Sequence, residues 1–396
     1  MTYKLCRRVA ALLLLAVLCS LIACSEPQSP AETEATEPDT NTTVRISAVG
    51  DIYLSTDQID DARCADGSFN FMPQFSDVYA VLSKADLTLG NFEGGFAGTP
   101  YGTESNSYPD ELAVALNDAG FDLLQTANTC SVFNGLAGLT RTKDVIENNG
   151  MLCSGTYRNA AERSDDQVTV FEINGIRVGV ISFTKGLGGM SIPAGEEYCV
   201  DLLYTDYATD YEEIDTVGIT AAIENAKQQQ PDVLIAMLHW GSENVRDVSR
   251  RQEEIADLMF HNGVDVIIGS HPHLVGKVEQ RSVRMDDGSR KNVLIAYSLG
   301  DFCTVSHGQS NMAPILNMVF TRDAFSGETT LTSVSCSSVL SMDNGAEAPD
   351  RYAVIDADNA IALYDGNYYD RISRDLYQLL LSKRDSLLSA LGLETK

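Results

Sequence analysis

The chain has 396 residues, 44% of them hydrophobic, enough for one large α/β domain with a sizeable core. Its 28 basic residues against 56 acidic ones give a formal net charge of −28, which argues against nucleic acid or another polyphosphate backbone as the main partner. Small phosphorylated groups are not excluded, because a local cation can still attract an anion.

The first 24 residues stand apart from the fold. Lys4, Arg7 and Arg8 precede an apolar run from Val9 to Val17, and Leu21-Ile22-Ala23-Cys24 follows. This pattern predicts a bacterial lipoprotein signal at residues 1–24, with Cys24 as the acylated terminus of an extracytoplasmic protein tethered to the cell membrane. No later segment has the roughly twenty apolar residues needed to cross a bilayer. Residues 25–43 carry no large apolar side chain, so they read as a flexible linker. Six cysteines lie beyond Cys24, namely Cys64, Cys130, Cys153, Cys199, Cys303 and Cys336, and their spacing selects no pairing.

Folding is predicted to begin with a strand at residues 44–49 that runs into Gly50-Asp51. A short helix at 75–82 leads to a strand at 85–89, which ends in Gly90-Asn91-Phe92-Glu93-Gly94-Gly95, an acid fenced by glycines. A helix at 110–119, stopped by Gly120, precedes a strand at 121–127 that delivers Asn128. A further helix follows at about 136–149. Strand alternating with helix at this spacing predicts βαβ units and a largely parallel sheet.

Asn174-Gly175 between apolar runs at 168–173 and 177–183 is the signal of a hairpin with a type I′ turn. Helices at 216–229 and 249–262 flank a buried strand at 232–238 that ends in His239-Trp240-Gly241, with Glu243 close behind. His261 falls at the end of the second helix, where it reads as structural. The strand at 264–268 is followed by Gly269, expected to turn the backbone, and by Ser270-His271-Pro272-His273. A strand at 292–299 delivers Gly300-Asp301-Phe302, and strands at 314–320 and 328–339 follow. Ile372, Leu376, Leu379, Leu380, Leu387 and Leu391 recur at helical spacing. The main domain is drawn at 44–345 and a C-terminal extension with a helix at 346–396.

The strand ends offer Asp51, Glu93, Asn128, His239, His271 and His273. Carboxylates, a side-chain amide and imidazoles at one sheet edge form the mixed O/N donor set of a site for two divalent ions such as Mn, Fe or Zn. Such a centre mainly serves hydrolysis of phosphate esters. No phosphate-cradling loop, dinucleotide fingerprint or nucleophile elbow competes with it.

Gly50-Asp51, Asn91-Phe92-Glu93, His239-Trp240-Gly241-Ser242-Glu243, Gly269-Ser270-His271-Pro272-His273 and Tyr297-Ser298-Leu299-Gly300-Asp301-Phe302 together resemble the CapA family of capsule or poly-γ-glutamate synthesis proteins. The resemblance implies a calcineurin-like metallophosphatase fold, an α/β/β/α sandwich of four layers with metals at the strand ends. It places Asn91, Glu243 and Asp301 behind the ligands or against the substrate. It also implies a role in making, releasing or anchoring envelope polymer, with polymer-synthase subunits as partners. The family's Ala-Asn-Asn-His reads here as Ala127-Asn128-Thr129-Cys130, so Thr129 takes a ligand position and Cys130 that of a general acid. Three readings follow: a membrane-anchored metal-dependent hydrolase acting on polymer or on a small phosphorylated or amide substrate, a catalytically degenerate protein that binds polymer or a synthase, and a general metallophosphoesterase.

Overall fold

The computed structural model describes residues 40–285, 287–305, 311–348 and 350–392. The signal expected at 1–24, Cys24 included, and most of the expected linker lie outside the described residues. Among the described residues, no helix is long and apolar enough to cross a membrane.

Among the described residues, thirteen strands make two sheets. The first seven-stranded sheet contains β1 (Thr42–Ile52), β2 (Leu87–Phe92), β3 (Leu123–Gln125) and β4 (Leu152–Ser154), all parallel. The second, six-stranded sheet begins with the hairpin β5 (Thr169–Ile173) and β6 (Ile176–Thr184), closed by Asn174 and Gly175 at φ 52° and 75°. Positive φ at both turn positions is what a type I′ turn needs. It continues with β7 (Val233–His239), β8 (Val266–Ser270), β9 (Val278–Arg284) and β10 (Arg290–Ala296), in the order β5-β6-β7-β8-β10-β9. The chain then returns to the first sheet with β11 (Asn311–Arg322), β12 (Thr329–Asp343) and β13 (Tyr352–Asp356), antiparallel to one another, giving the order β13-β12-β11-β1-β2-β3-β4.

Alternation along buried strands sets the layers. In β7, Val233, Ile235 and Met237 join one apolar cluster while Leu234, Ala236 and Leu238 join another. The first cluster also holds Val44, Ile46, Leu87 and Leu89 of the other sheet, so the two sheets pack face to face. The second holds Ile219 and Ile223 of the helix Thr216–Gln228 with Ile255 and Met259 of the helix Arg250–Asn262. On the far side of the seven-stranded sheet, Val49, Ile52 and Leu124 meet Leu112 and Leu116 of the helix Glu111–Ala119 and Ile146 of the helix Gly135–Asn148. The result is the expected α/β/β/α sandwich, and each buried Ile or Leu contributes roughly 1.5–3 kcal/mol.

The structure corrects several expectations. Thr42 and Thr43, expected in the linker, already pair with Arg322 and Thr321. The single helix expected at 75–82 is two short ones, Met72–Phe75 and Tyr79–Leu82, and between them the Ser76 hydroxyl donates to the Pro73 carbonyl at 3.3 Å. The boundary at 345 does not hold. β13 pairs with β12, and the helices Ala357–Asp365 and Arg374–Leu391 pack Ala360, Ile361 and Leu380 around Leu340. The last helix, capped by Ser373 and by Gly392 at φ 74°, also inserts Leu387 and Leu391 into the core between the sheets.

Candidate metal centre

The parallel strands of both sheets deliver their carboxyl ends to one rim. Asp51 is the penultimate residue of β1, β2 is followed by Glu93, β7 ends with His239, and β8 leads into His271 and His273. Close backbone approaches hold this rim together. A Cβ on Gly50 would lie 1.9 Å from the Gly300 carbonyl oxygen, and one on Gly269 would lie 2.1 Å from that of Tyr297. Gly269 therefore serves contact within β8 rather than a turn. The turn falls on His271 and His273 themselves, at φ 94° and 57°. Left-handed backbone at non-glycine residues costs on the order of 1–3 kcal/mol each, so the surrounding contacts must enforce it.

Two overlapping triads result. Donor atoms of Asp51, Glu93 and His273 lie within 4.8 Å of one another, as do those of Glu93, His239 and His271. Glu93 belongs to both. Its Oε1 is 3.6 Å from His239 Nε2 and its Oε2 is 3.9 Å from His273 Nε2. Asp51 Oδ2 is 3.7 Å from His273 Nδ1 and accepts a hydrogen bond from the His271 amide at 3.2 Å.

Neighbouring side chains fix these groups. Asn91 Nδ2 donates to Asp51 Oδ1 at 2.6 Å. Asp301 Oδ1 lies 2.7 Å from His273 Nδ1, and Ser270 Oγ lies 3.3 Å from His239 Nδ1. Asn128, placed among the ligands from the sequence, is committed elsewhere. Its Nδ2 donates to the Phe92 carbonyl at 2.6 Å and its Oδ1 accepts from the Cys130 amide at 3.0 Å. Instead, Thr129 Oγ1 faces His239 Nε2 at 2.9 Å. Asn128 thus acts behind Asn91 because the loop after β3 turns its side chain back on the backbone. Glu243 stands exposed on the wall of a 220 Å³ cavity that also meets Thr129, Lys185, Tyr211 and His271. Lys185, which follows β6 directly, is the site residue that the sequence reading missed; its Nζ donates to the Gly241 carbonyl at 2.7 Å. The signal was present, since it is the residue after a buried strand, as Glu93 and His271 are.

The electrostatics are those of a crowded acidic site. Burial, and then the neighbouring Asp51 charge, pushes Glu93 well above the usual carboxylate range; burial is also the main cause that raises Asp51. Burial, with the other imidazoles, depresses His239, and burial with Lys185 and His273 depresses His271 to about 3. For His273, burial opposes the charge but the Asp301 hydrogen bond and the Asp51, Asp301 and Glu93 charges outweigh it, lifting it to about 10. Glu93 Oε2 and His271 Nδ1 are buried with no hydrogen-bond partner among the described residues. Each such atom costs about 1–3 kcal/mol, a cost that a cation between the two triads would remove. The donor set therefore fits divalent ions.

Six cysteines, Cys64, Cys130, Cys153, Cys199, Cys303 and Cys336, are free thiols. His261 Nδ1 meets the Asp257 carbonyl at 2.7 Å at the end of its helix, consistent with a structural role.

Two facing sheets with acids and imidazoles gathered on one rim define an α/β sandwich with a carboxylate–imidazole centre. Over residues 45–306 the chain matches the family described as bacterial capsule synthesis protein PGA_cap, and it belongs to that family. The PGA biosynthesis protein CapA of Bacillus subtilis (strain 168) is 24% identical over 291 residues, covering 69% of this chain and 66% of that protein. The capsule biosynthesis protein CapA of Bacillus anthracis is 26% identical over 242 residues, covering 58% and 53%. The matched region thus spans about two thirds of the first relative and about half of the second. A phosphatase from Mycoplasma pneumoniae has a similar structure at a TM-score of 0.45 and 13% identity, over 77% of this chain and 96% of that one, a likeness too distant to carry an argument.

Proposed function

We propose that this CapA-like protein is an extracytoplasmic lipoprotein, anchored through Cys24, that binds two divalent cations and hydrolyses bonds in an envelope polymer such as capsule or poly-γ-glutamate. The observation that carries this reading is the pair of triads sharing Glu93, with buried atoms lacking partners where cations would be held. Asp51, Glu93 and His273 would hold one ion, and Glu93, His239 and His271 the other. Mn, Fe or Zn in such a site supplies Lewis acidity and a water that ionises near neutral pH. Asn91 orients Asp51, Ser270 orients His239 through Nδ1 so that Nε2 faces Glu93, and Asp301 orients His273. Lys185 brings a positive charge to the cavity beside His271, where an anionic group of the substrate would sit.

The second reading, binding of polymer or of a synthase subunit without turnover, is favoured by one feature. Cys130 stands where the family's general acid is implied, and burial, then Glu93, raises its thiol above the ordinary range. Full-length, metal-loaded protein assayed on phosphodiesters and on γ-linked polymer separates the two. Turnover that His239→Ala abolishes supports the hydrolase; metal and polymer binding with no turnover supports the second reading. Turnover confined to phosphomonoesters would favour a general metallophosphoesterase.

A further inference from the structure

Tyr211 stands in the long connection between β6 and the helix Thr216–Gln228, and its backbone is left-handed, at φ 55°. An aromatic residue holds that conformation only where its surroundings enforce it. The ring meets Tyr204 edge-on, with centroids 5.8 Å apart. It lies against the backbone of Gly186, where an added Cβ would come within 2.6 Å of Tyr211 Cε1. Its face receives the Lys185 ammonium, whose Nζ is 4.7 Å from the ring centroid.

Lys185 is itself tied to the metal centre. Its amide donates to the His239 carbonyl at 2.8 Å, and its Nζ donates to the Gly241 carbonyl at 2.7 Å. The ammonium is close enough to His239 and His271 to oppose their protonation. Lys185, Tyr211 and His271 line the same 220 Å³ cavity. Gly241 takes one N–H donor of the ammonium, and the ring face attracts the cation without taking another as a lone-pair acceptor would. Among the described residues no carboxylate forms an ion pair with Lys185, so donors remain for an anion.

We propose that Tyr211 is a positioning residue, whose ring holds the Lys185 ammonium in the cavity beside His271 so that the cation binds an anionic group of the substrate. A lysine ammonium is a point charge on a flexible stem, and a single carbonyl leaves it room to move. The ring adds a second fixed point, so the cation meets its ligand already placed and less ordering is needed on binding. The preference for an anion therefore depends on Tyr211, although Tyr211 carries no charge. A phenyl ring serves this purpose as a phenol does, and an aliphatic side chain does not. The inference rests on the proposed function in taking this cavity as the seat of the substrate's anionic group.

The test is a double-mutant cycle, read by calorimetric titration of the full-length protein with inorganic phosphate, with and without manganese. Lys185→Ala should weaken phosphate binding roughly tenfold or more. Tyr211→Leu should weaken it about fivefold, and Tyr211→Phe by less than about twofold. In the Lys185→Ala background Tyr211→Leu should have no further effect, because the ring has no cation left to hold. A ring that only supports the fold would cost the same affinity in both backgrounds. Tyr211→Met repeats the cycle with a different filling of the space, so one poorly folded variant does not end the test. The inference is overturned by equal losses from Tyr211→Leu in the two backgrounds, or by a loss in Tyr211→Phe as large as that in Tyr211→Leu. Wild-type affinity in Tyr211→Leu overturns it too, as does a wild type that binds no phosphate in either condition. Wild type that holds no manganese would sink the metal reading instead, and the titration without manganese still decides Tyr211.

Discussion

Asp301 Oδ1 lies 2.7 Å from His273 Nδ1, which leaves His273 Nε2 as the ring atom that faces Glu93. A carboxylate behind an imidazole fixes ring orientation and tautomer and raises ligand basicity. Asp301→Ala should lower metal affinity by roughly 10–100-fold. Asp301→Asn, which keeps a hydrogen-bond acceptor, should lose less. Competition with a chromophoric chelator measures both, and unchanged affinity in Asp301→Ala would remove Asp301 from the centre.

The imidazoles of the metal-free protein pull stability in opposite directions with pH. His273 is lifted from its ordinary 6.5 to about 10, so its contribution is complete below 6.5 and is lost as pH rises through about 10. His271 is depressed to about 3, so its contribution is complete above 6.5 and is lost as pH falls toward about 3. Thermal melts in chelator should therefore peak between those limits. Because a metal ligand must give up its proton, metal uptake near pH 8 should release at least the His273 proton, with the raised Glu93 adding to it, and affinity should rise with pH. Calorimetry in buffers of different ionisation enthalpy detects this release, and its absence would place His273 outside the ligand set.

Gly50 precedes Asp51, and any Cβ there would overlap the Gly300 carbonyl oxygen at 1.9 Å. Gly50→Ala must part β1 from the segment that carries Asp301. Overpacking of a fixed backbone typically costs about 1–3 kcal/mol and occasionally more. Urea unfolding should show a loss of that size together with lower metal content. Wild-type stability in this variant would mean that the rim is looser than its contacts require.

Cys130 stays protonated at neutral pH, with burial and then Glu93 raising its thiol, so it is a poor proton donor. In a hydrolase assay Cys130→Ala should remain within about twofold of wild type. Lys185→Ala should lose roughly 10–100-fold on anionic substrates, because the charge beside His271 is removed. A loss in Cys130→Ala of the hundredfold or more typical of a missing general acid would reverse these assignments.

Much of this centre was legible because buried parallel strands are conspicuous runs and the residue after each is easily found. Residues 232–238 and 264–268 announced their strands, and His239 and His271 followed. Lys185 was passed over because the hairpin signal at Asn174-Gly175 drew β6 into an antiparallel pair, although its other neighbour, β7, is parallel. Asn128 turns away from the triads for a different reason. Sequence gives the residue after a strand but not the direction its side chain takes in a loop, and the Phe92 carbonyl claimed the Asn128 amide. The short strands β4 and β13 carry too few residues for periodicity to register, so the boundary at 345 cut through a continuous sheet.

Elemental analysis of the purified full-length protein, with Glu93→Ala beside it, is the most direct measurement of whether one carboxylate serves two ions. Two divalent ions per chain are expected in wild type and fewer than one in the variant, both remaining folded by circular dichroism. A wild-type protein that folds and carries no metal after incubation with Mn, Fe or Zn would contradict the account.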